Sequence, residues 1–86
     1  MIKTELDVIP SDGILYFSAT WCQPCKHMKP IVESIDRDVF YVDIEQNESM
    51  VQEFGIRSVP TFIKLVDGKE HNRIVGAVTR QQLESL

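Results

Sequence analysis

The chain has two cysteines, Cys22 and Cys25, three positions apart with Gln23 and Pro24 between them in ATWCQPCKHMKP, residues 19–30. Sulfur pairs at this spacing serve in redox exchange, as ligands of a metal, or as small apolar packing groups. A zinc site would have to recruit His27 and His71, the two histidines of the chain. One is adjacent and the other distant, so no second knuckle completes a tetrahedral set, and no metal is expected. Packing suits Cys25 but not Cys22, which falls outside the apolar stripe described next and follows Trp21. Redox exchange uses both: a thiolate at one position attacks a disulfide, and the other thiol resolves the mixed disulfide.

The elements around the pair decide which sulfur does what. Ile14, Leu15, Tyr16 and Phe17 follow the turn signal Ser11-Asp12-Gly13 and read as a buried strand ending at Ser18. From Pro24 onward, Cys25, Met28, Val32 and Ile35 recur at steps of three and four, the signature of an amphipathic helix. Cys22 therefore stands at or just before the first turn, and Pro24 suits an early helical position, where its missing N–H had no partner to lose. Unpaired N–H groups and the positive end of the helix dipole favour an anion there. The thiol of Cys22 is thus expected below its free pKa of about 8.5, as the attacking thiolate, and Cys25, one turn in and facing the core, as the shielded resolving thiol.

Val39, Phe40, Tyr41 and Val42, with Ile44 beyond Asp43, make a second apolar run, giving a parallel βαβ unit over residues 14–44 with a right-handed crossover. Asn47 is expected to cap a short helix carrying Met50, Val51 and Phe54 and ending at Gly55. Strands over 61–66 and 72–75 flank the turn dipeptide Asp67-Gly68. Thr79 and Gln82 match a capping box opening a last helix through Leu83 and Leu86. Ile2–Leu6 reads as an edge strand, followed by too few residues for a helical crossover.

Composition sets the bounds. With 86 residues, 43% of them apolar and 26% charged, and no repeat or low-complexity stretch, the chain reads as a single domain over 1–86. The net charge of −4 and scattered lysines and arginines offer no basic stripe for phosphates, so no nucleic-acid partner is expected. The start, MIKTELDVIPSDG, is acidic where a signal peptide is apolar, and no run approaches the ~18 residues of a membrane span. A cytoplasmic monomer with no membrane partner is the expectation. In that reducing compartment a lone cysteine pair is catalytic or metal-binding more often than a structural staple.

Three stretches, FSATWC-x-PCK-x-x-KP at 17–30, SVPTF at 58–62 and VGA at 75–77, resemble the thioredoxin family from about residue 13 to the end. The resemblance implies an α/β thioredoxin fold: a mixed central sheet, built of a βαβ unit followed by a ββα unit, flanked by helices, with the first helix missing or shortened. It implies a thiol–disulfide oxidoreductase that reduces protein disulfides, with Cys22 attacking, Cys25 resolving and a redox-active Cys22–Cys25 disulfide. Trp21 is the neighbouring aromatic surface, and Pro60 is similar to the family's cis-proline. The backbone of Val59 would pair with an extended substrate segment, and Gly76 would complete that groove by leaving room. Pro30 resembles the proline that bends the active-site helix, removing a bond to residue 26. No cofactor is expected to stay bound. The implied partners are disulfide-containing client proteins and an NADPH-dependent flavoprotein thioredoxin reductase.

The departures are as specific as the matches. Gln23 stands where the family has glycine, so Gln23 and Pro24 tune a reduction potential that does not transfer. Tyr16 occupies the place of a buried aspartate and Tyr41 that of its lysine neighbour, so both members of a buried charge pair are replaced together. Losing one alone would strand a charge at roughly 3–5 kcal/mol, whereas replacing both can be nearly neutral. Tyr16, a phenol of pKa about 10, is a poor base at neutral pH, leaving water, Asp43 or Glu45 to take the proton of Cys25. A glutathione-dependent, glutaredoxin-like enzyme is the rival. Against it, the cysteines are not separated by Pro-Tyr, and Val75-Gly76-Ala77 lacks a second glycine and an acidic residue. A binding module that kept the fold without turnover is the other alternative.

Overall fold

The computed structural model describes the backbone of residues 2–3 and all of residues 9–86. Among the described residues five strands form one mixed sheet in the order β1-β3-β2-β4-β5: β1 (Ile2–Lys3), β2 (Gly13–Ser18), β3 (Val39–Asp43), β4 (Thr61–Val66) and β5 (Lys69–Val75). The helices are α1 (Gln23–Ser34), α2 (Glu48–Phe54) and α3 (Arg80–Glu84). The central strand β2 runs parallel to β3, with Ile14 opposite Val39 and Phe17 opposite Val42, and antiparallel to β4, with Tyr16 opposite Phe62.

Alternation along β2 divides the core in two, because successive side chains of a strand point to opposite faces. Ile14 and Tyr16 face the layer holding Met28 and Val32 of α1 and Leu83 of α3. Leu15 and Phe17 face the other, with Met50, Val51 and Phe54 of α2. A strand covered on both faces must be apolar throughout, which is why 14–17 is a continuous run and not an alternating one. Each fully buried side chain here contributes roughly 1.5–3 kcal/mol relative to exposure.

Several expected boundaries hold and a few move. Gly55 ends α2 in a left-handed conformation, φ 62°, and its N–H reaches back to the carbonyls of Val51 and Gln52. Asn47 is the residue before α2, but its side chain makes no cap; its Nδ2 donates to the carbonyl of Asp43 and so fixes the loop from β3. Asp67 and Gly68 both have positive φ, 53° and 76°, the requirement of a tight type I′ hairpin. β5 begins at Lys69 and not at 72, because the pairing set by that turn includes polar residues that carry no apolar pattern. A register shift beside Lys64/Leu65 leaves His71 as the extra residue of a bulge, on an edge strand protected by charge. The capping box of Thr79 and Gln82 is complete, yet α3 stops at Glu84, and Leu86 returns to the core beyond it as buried chain.

Of the N-terminal edge strand expected over 2–6, Ile2–Lys3 pairs in parallel with Val39–Phe40. Residues 4–6 lie outside the described residues. Among the described residues no helix precedes β2.

Gly13 opens β2 at φ 126°, and a Cβ added there would lie 2.7 Å from the Phe40 ring and 3.1 Å from the Asp38 carbonyl. Gly13→Ala is accordingly expected to lose roughly 1–3 kcal/mol of stability in urea unfolding, by backbone strain and displacement of Phe40.

Candidate functional site

The site begins where β2 ends. Ala19, Thr20 and Trp21 turn the chain, with the Cys22 N–H donating to the Ala19 carbonyl at 3.2 Å, and α1 starts at Gln23 with Pro24 in its first turn. Cys22 is the N-cap residue, with extended backbone at φ −84°, ψ 110°. Its carbonyl accepts the Lys26 N–H at 3.2 Å, and its Sγ accepts the Cys25 N–H at 3.1 Å. A sulfur therefore does what a serine or aspartate oxygen does at an ordinary N-cap: it satisfies a first-turn N–H that has no partner within the helix.

Cys22 and Cys25 are joined as a disulfide, with Cα atoms 5.2 Å apart, so the structure is that of the oxidised protein. Both sulfurs are nearly enclosed: Cys22 is 4% exposed and Cys25 3%. The difference between them lies in position and hydrogen bonding, not in overall exposure as the apolar stripe implied. Ala19, Ile44 and Val59 pack around them. Trp21 beside them is 61% exposed, a large apolar surface with nothing over it.

Three chain segments meet at this end of the sheet. The Val59–Pro60 peptide is cis, and the Pro60 carbonyl accepts the N–H of Gly76 at 2.8 Å, which ties the loop before β4 to the loop after β5. Among the described residues neither the N–H nor the carbonyl of Val59 has a hydrogen-bond partner. Gly76 has φ 96°, and a Cβ there would meet nothing within 4 Å, so glycine is needed for backbone conformation while the space outside stays open. Val75 is 56% exposed and extends the apolar surface of this end.

Tyr16 sits beneath the pair. It is buried, stacks on Phe62 at 4.8 Å, meets Tyr41 edge-on at 5.8 Å, and its phenolic O–H donates to the Cys25 carbonyl at 3.0 Å. Burial pushes the phenol above its ordinary pKa, with the Ser18 hydroxyl partly opposing and Tyr41 adding. It is protonated at neutral pH and acts as a donor. The resemblance put Tyr16 in the place of a buried aspartate but carried no sign of this bond. A pocket of about 270 Å³ opens alongside, walled by Tyr16, Tyr41, Ser18 and Cys25 with Lys26 and Lys29 at its edge. Asp43 is engaged elsewhere, its carboxylate accepting the Glu45 N–H at 2.9 Å. Pro30 lies inside α1, which runs on to Ser34. Among the described residues no group of three or more His, Cys, Asp or Glu side chains is placed to hold a metal, and His27 and His71 do not join the cysteines.

A disulfide capping a helix, set at the edge of a mixed βαβ–ββα sheet and opposite a cis-proline loop, defines a thiol–disulfide oxidoreductase of the thioredoxin fold. The thioredoxin family model matches residues 4–86. A thioredoxin of Mycoplasmoides gallisepticum is 35% identical over 92 aligned positions, covering 98% of this chain and 92% of its own length. A TPR repeat-containing thioredoxin of Arabidopsis thaliana is 45% identical over 69, covering 74% of this chain but only 18% of that longer protein. Among solved structures, a mutant thioredoxin from Halobacterium salinarum superposes with a TM-score of 0.83 at 25% identity, over 99% of this chain and 84% of its own. The chain belongs to the thioredoxin family.

Because the Tyr16 phenol has its pKa raised on folding, the stability it contributes is complete below pH 10 and lost as pH rises through the folded-state value. Tyr16→Phe is expected to lose about 1 kcal/mol at pH 7 with the hydrogen bond to Cys25, and to flatten the decline above pH 10. Its disulfide-reduction rate should stay largely intact, since the phenol is no base; urea unfolding across a pH series and a turnover assay check both.

Proposed function

We propose that the protein reduces disulfides of client proteins, with Cys22 as nucleophile and Cys25 as resolving cysteine. The observation that carries this reading is the Cys25 N–H donated to Cys22 Sγ at the start of α1. In the reduced protein the same N–H and the helix dipole stabilise a thiolate on Cys22. That thiolate attacks one sulfur of the client disulfide; the client S–S bond breaks, its second sulfur leaves as thiolate, and a Cys22–client mixed disulfide forms. Cys25 loses its proton to solvent and attacks Cys22, expelling the client's first sulfur and closing the Cys22–Cys25 disulfide. Two electrons pass to the client, which gains two thiols.

The groove for the client is bounded by Trp21, by the unpaired backbone of Val59 next to Pro60, and by Gly76. An extended client segment would add to the Val59 main chain as a strand adds to an edge, an arrangement in which backbone bonds give affinity without demanding a sequence. Gln23 and Pro24 occupy the first turn and tune the balance between dithiol and disulfide, and Tyr16 holds the Cys25 carbonyl from below. With the buried acid of the family absent, the pocket beside Cys25 gives water a route to that thiol.

The oxidised protein would be recycled by an NADPH-dependent flavoprotein thioredoxin reductase, with no cofactor resident on this chain. The proposed setting is the cytoplasm, as an electron carrier in thiol homeostasis; among the described residues no helix is long and apolar enough to cross a membrane. We take the protein to work as a monomer.

Insulin reduction by dithiothreitol tests this reading. The wild type should accelerate it, Cys22→Ser should fall to the rate of dithiothreitol alone, and Cys25→Ser should accumulate a mixed disulfide with the client that dithiothreitol releases. Equal curves for wild type and Cys22→Ser would leave a binding module.

A further inference from the structure

We propose that Met28 is a positioning residue for client binding: its thioether sulfur accepts the Val78 N–H and so holds the segment 76–78 in the shape that receives a polypeptide. The inference rests on the groove described above and names the side chain that fixes one of its walls.

Met28 lies one turn beyond Cys25 on α1, 1% exposed, among Tyr16, Val32, Phe62 and Leu83. The Val78 N–H donates to its Sδ at 3.4 Å, a good distance for a sulfur acceptor, and the Val78 side chain packs on the same cluster. The segment after β5 is thereby held at three donors by three different parts of the chain. Gly76 N–H goes to the Pro60 carbonyl, Val78 N–H to Met28, and Thr79 N–H to Oε1 of Gln82 in the capping box of α3.

Ala77 is the exception. It is exposed, and among the described residues neither its N–H nor its carbonyl has a partner. Its neighbours on both sides are tethered, so the open main-chain groups of Ala77 are held one residue beyond the Gly76–Pro60 bond, as those of Val59 are held one residue before it. Two unpaired backbone stretches joined through the Gly76–Pro60 bond form a cradle for main-chain pairing, and Met28 connects that cradle to the helix bearing the reactive sulfurs.

Sulfur is the feature that matters. The apolar side chains that would fill this site equally well carry no acceptor, whereas a thioether packs as a hydrocarbon and still accepts a weak hydrogen bond. Met→Leu conserves volume and costs little in packing, so it removes the acceptor while leaving the core filled.

The test compares wild type with Met28→Leu, and with Met28→Ile should the first fold poorly, on two substrates: insulin, which needs the groove, and 5,5′-dithiobis(2-nitrobenzoate), a small disulfide that does not. The expected result is a KM for insulin raised about fivefold, one hydrogen bond's worth, with kcat and the small-disulfide rate unchanged. Amide hydrogen exchange at Val78 should rise about as much or more, while that of Val32 and Phe62 stays at the wild-type level. An unchanged insulin KM with unchanged Val78 exchange would overturn the proposal, as would an equal loss on both substrates. Absence of wild-type turnover on either substrate would instead sink the reductase reading, and Val78 exchange would still decide the role of Met28 in holding the segment.

Discussion

One hydrogen bond organises this molecule: the Cys25 N–H to the Sγ of Cys22, at 3.1 Å, where β2 has ended and α1 has begun. It exists because Cys22 is the N-cap, because Pro24 is accommodated in the first turn without losing a bond, and because the helix that follows is long enough, at 12 residues, to have a developed dipole. The same bond serves two states. In the disulfide it fixes the Cys22 sulfur, and under the proposed mechanism it is a ready donor to the thiolate formed on reduction. The energy of such a bond to a charged acceptor exceeds that to a neutral one, so reduction strengthens it.

The rest of the fold holds that junction still. β2 is the central strand, buried on both faces, so the point where it ends is set by pairing with β3 on one side and β4 on the other. Tyr16 then links strand to helix, stacking on Phe62 and donating to the Cys25 carbonyl. At positions 16 and 41, where the thioredoxin resemblance implies a carboxylate and a lysine, two aromatics meet edge to face. A buried ion pair replaced as a unit leaves no stranded charge, and aromatic contacts contribute roughly 0.5–1.5 kcal/mol beyond the area they bury. The Tyr16 phenol, raised above its ordinary pKa by burial, offers no base to Cys25, so in the proposed mechanism the second proton goes to water.

Much of this was legible in the residues. Apolar runs at 14–17 and 39–42 with a 3.6-residue pattern between them require a βαβ unit, and Asp67-Gly68 and the Thr79/Gln82 box mark their turns by backbone chemistry that few other residues satisfy. What escaped has a common cause. The start of β5 at Lys69 rests on hairpin pairing among polar residues, the side chain of Asn47 turns back to Asp43 in place of capping, and the near-equal burial of Cys22 and Cys25 comes from Val59 and Ile44 closing over them. Each depends on pairing between particular groups, near in sequence for Lys69 and Asn47 and distant for Val59 and Ile44, as do the Tyr16–Cys25 and Met28–Val78 bonds. Periodicity shows which face a side chain occupies; it does not show which backbone group waits there.

Alkylation of the reduced protein across a pH series, with the modified cysteine located by mass, tests the central claim most directly. The account predicts that Cys22 reacts first, with a midpoint clearly below the free-thiol value of about 8.5, and that Cys25 reacts slowly and only at higher pH. If both sulfurs react together with the unperturbed midpoint of an ordinary thiol, the capped-thiolate account is contradicted.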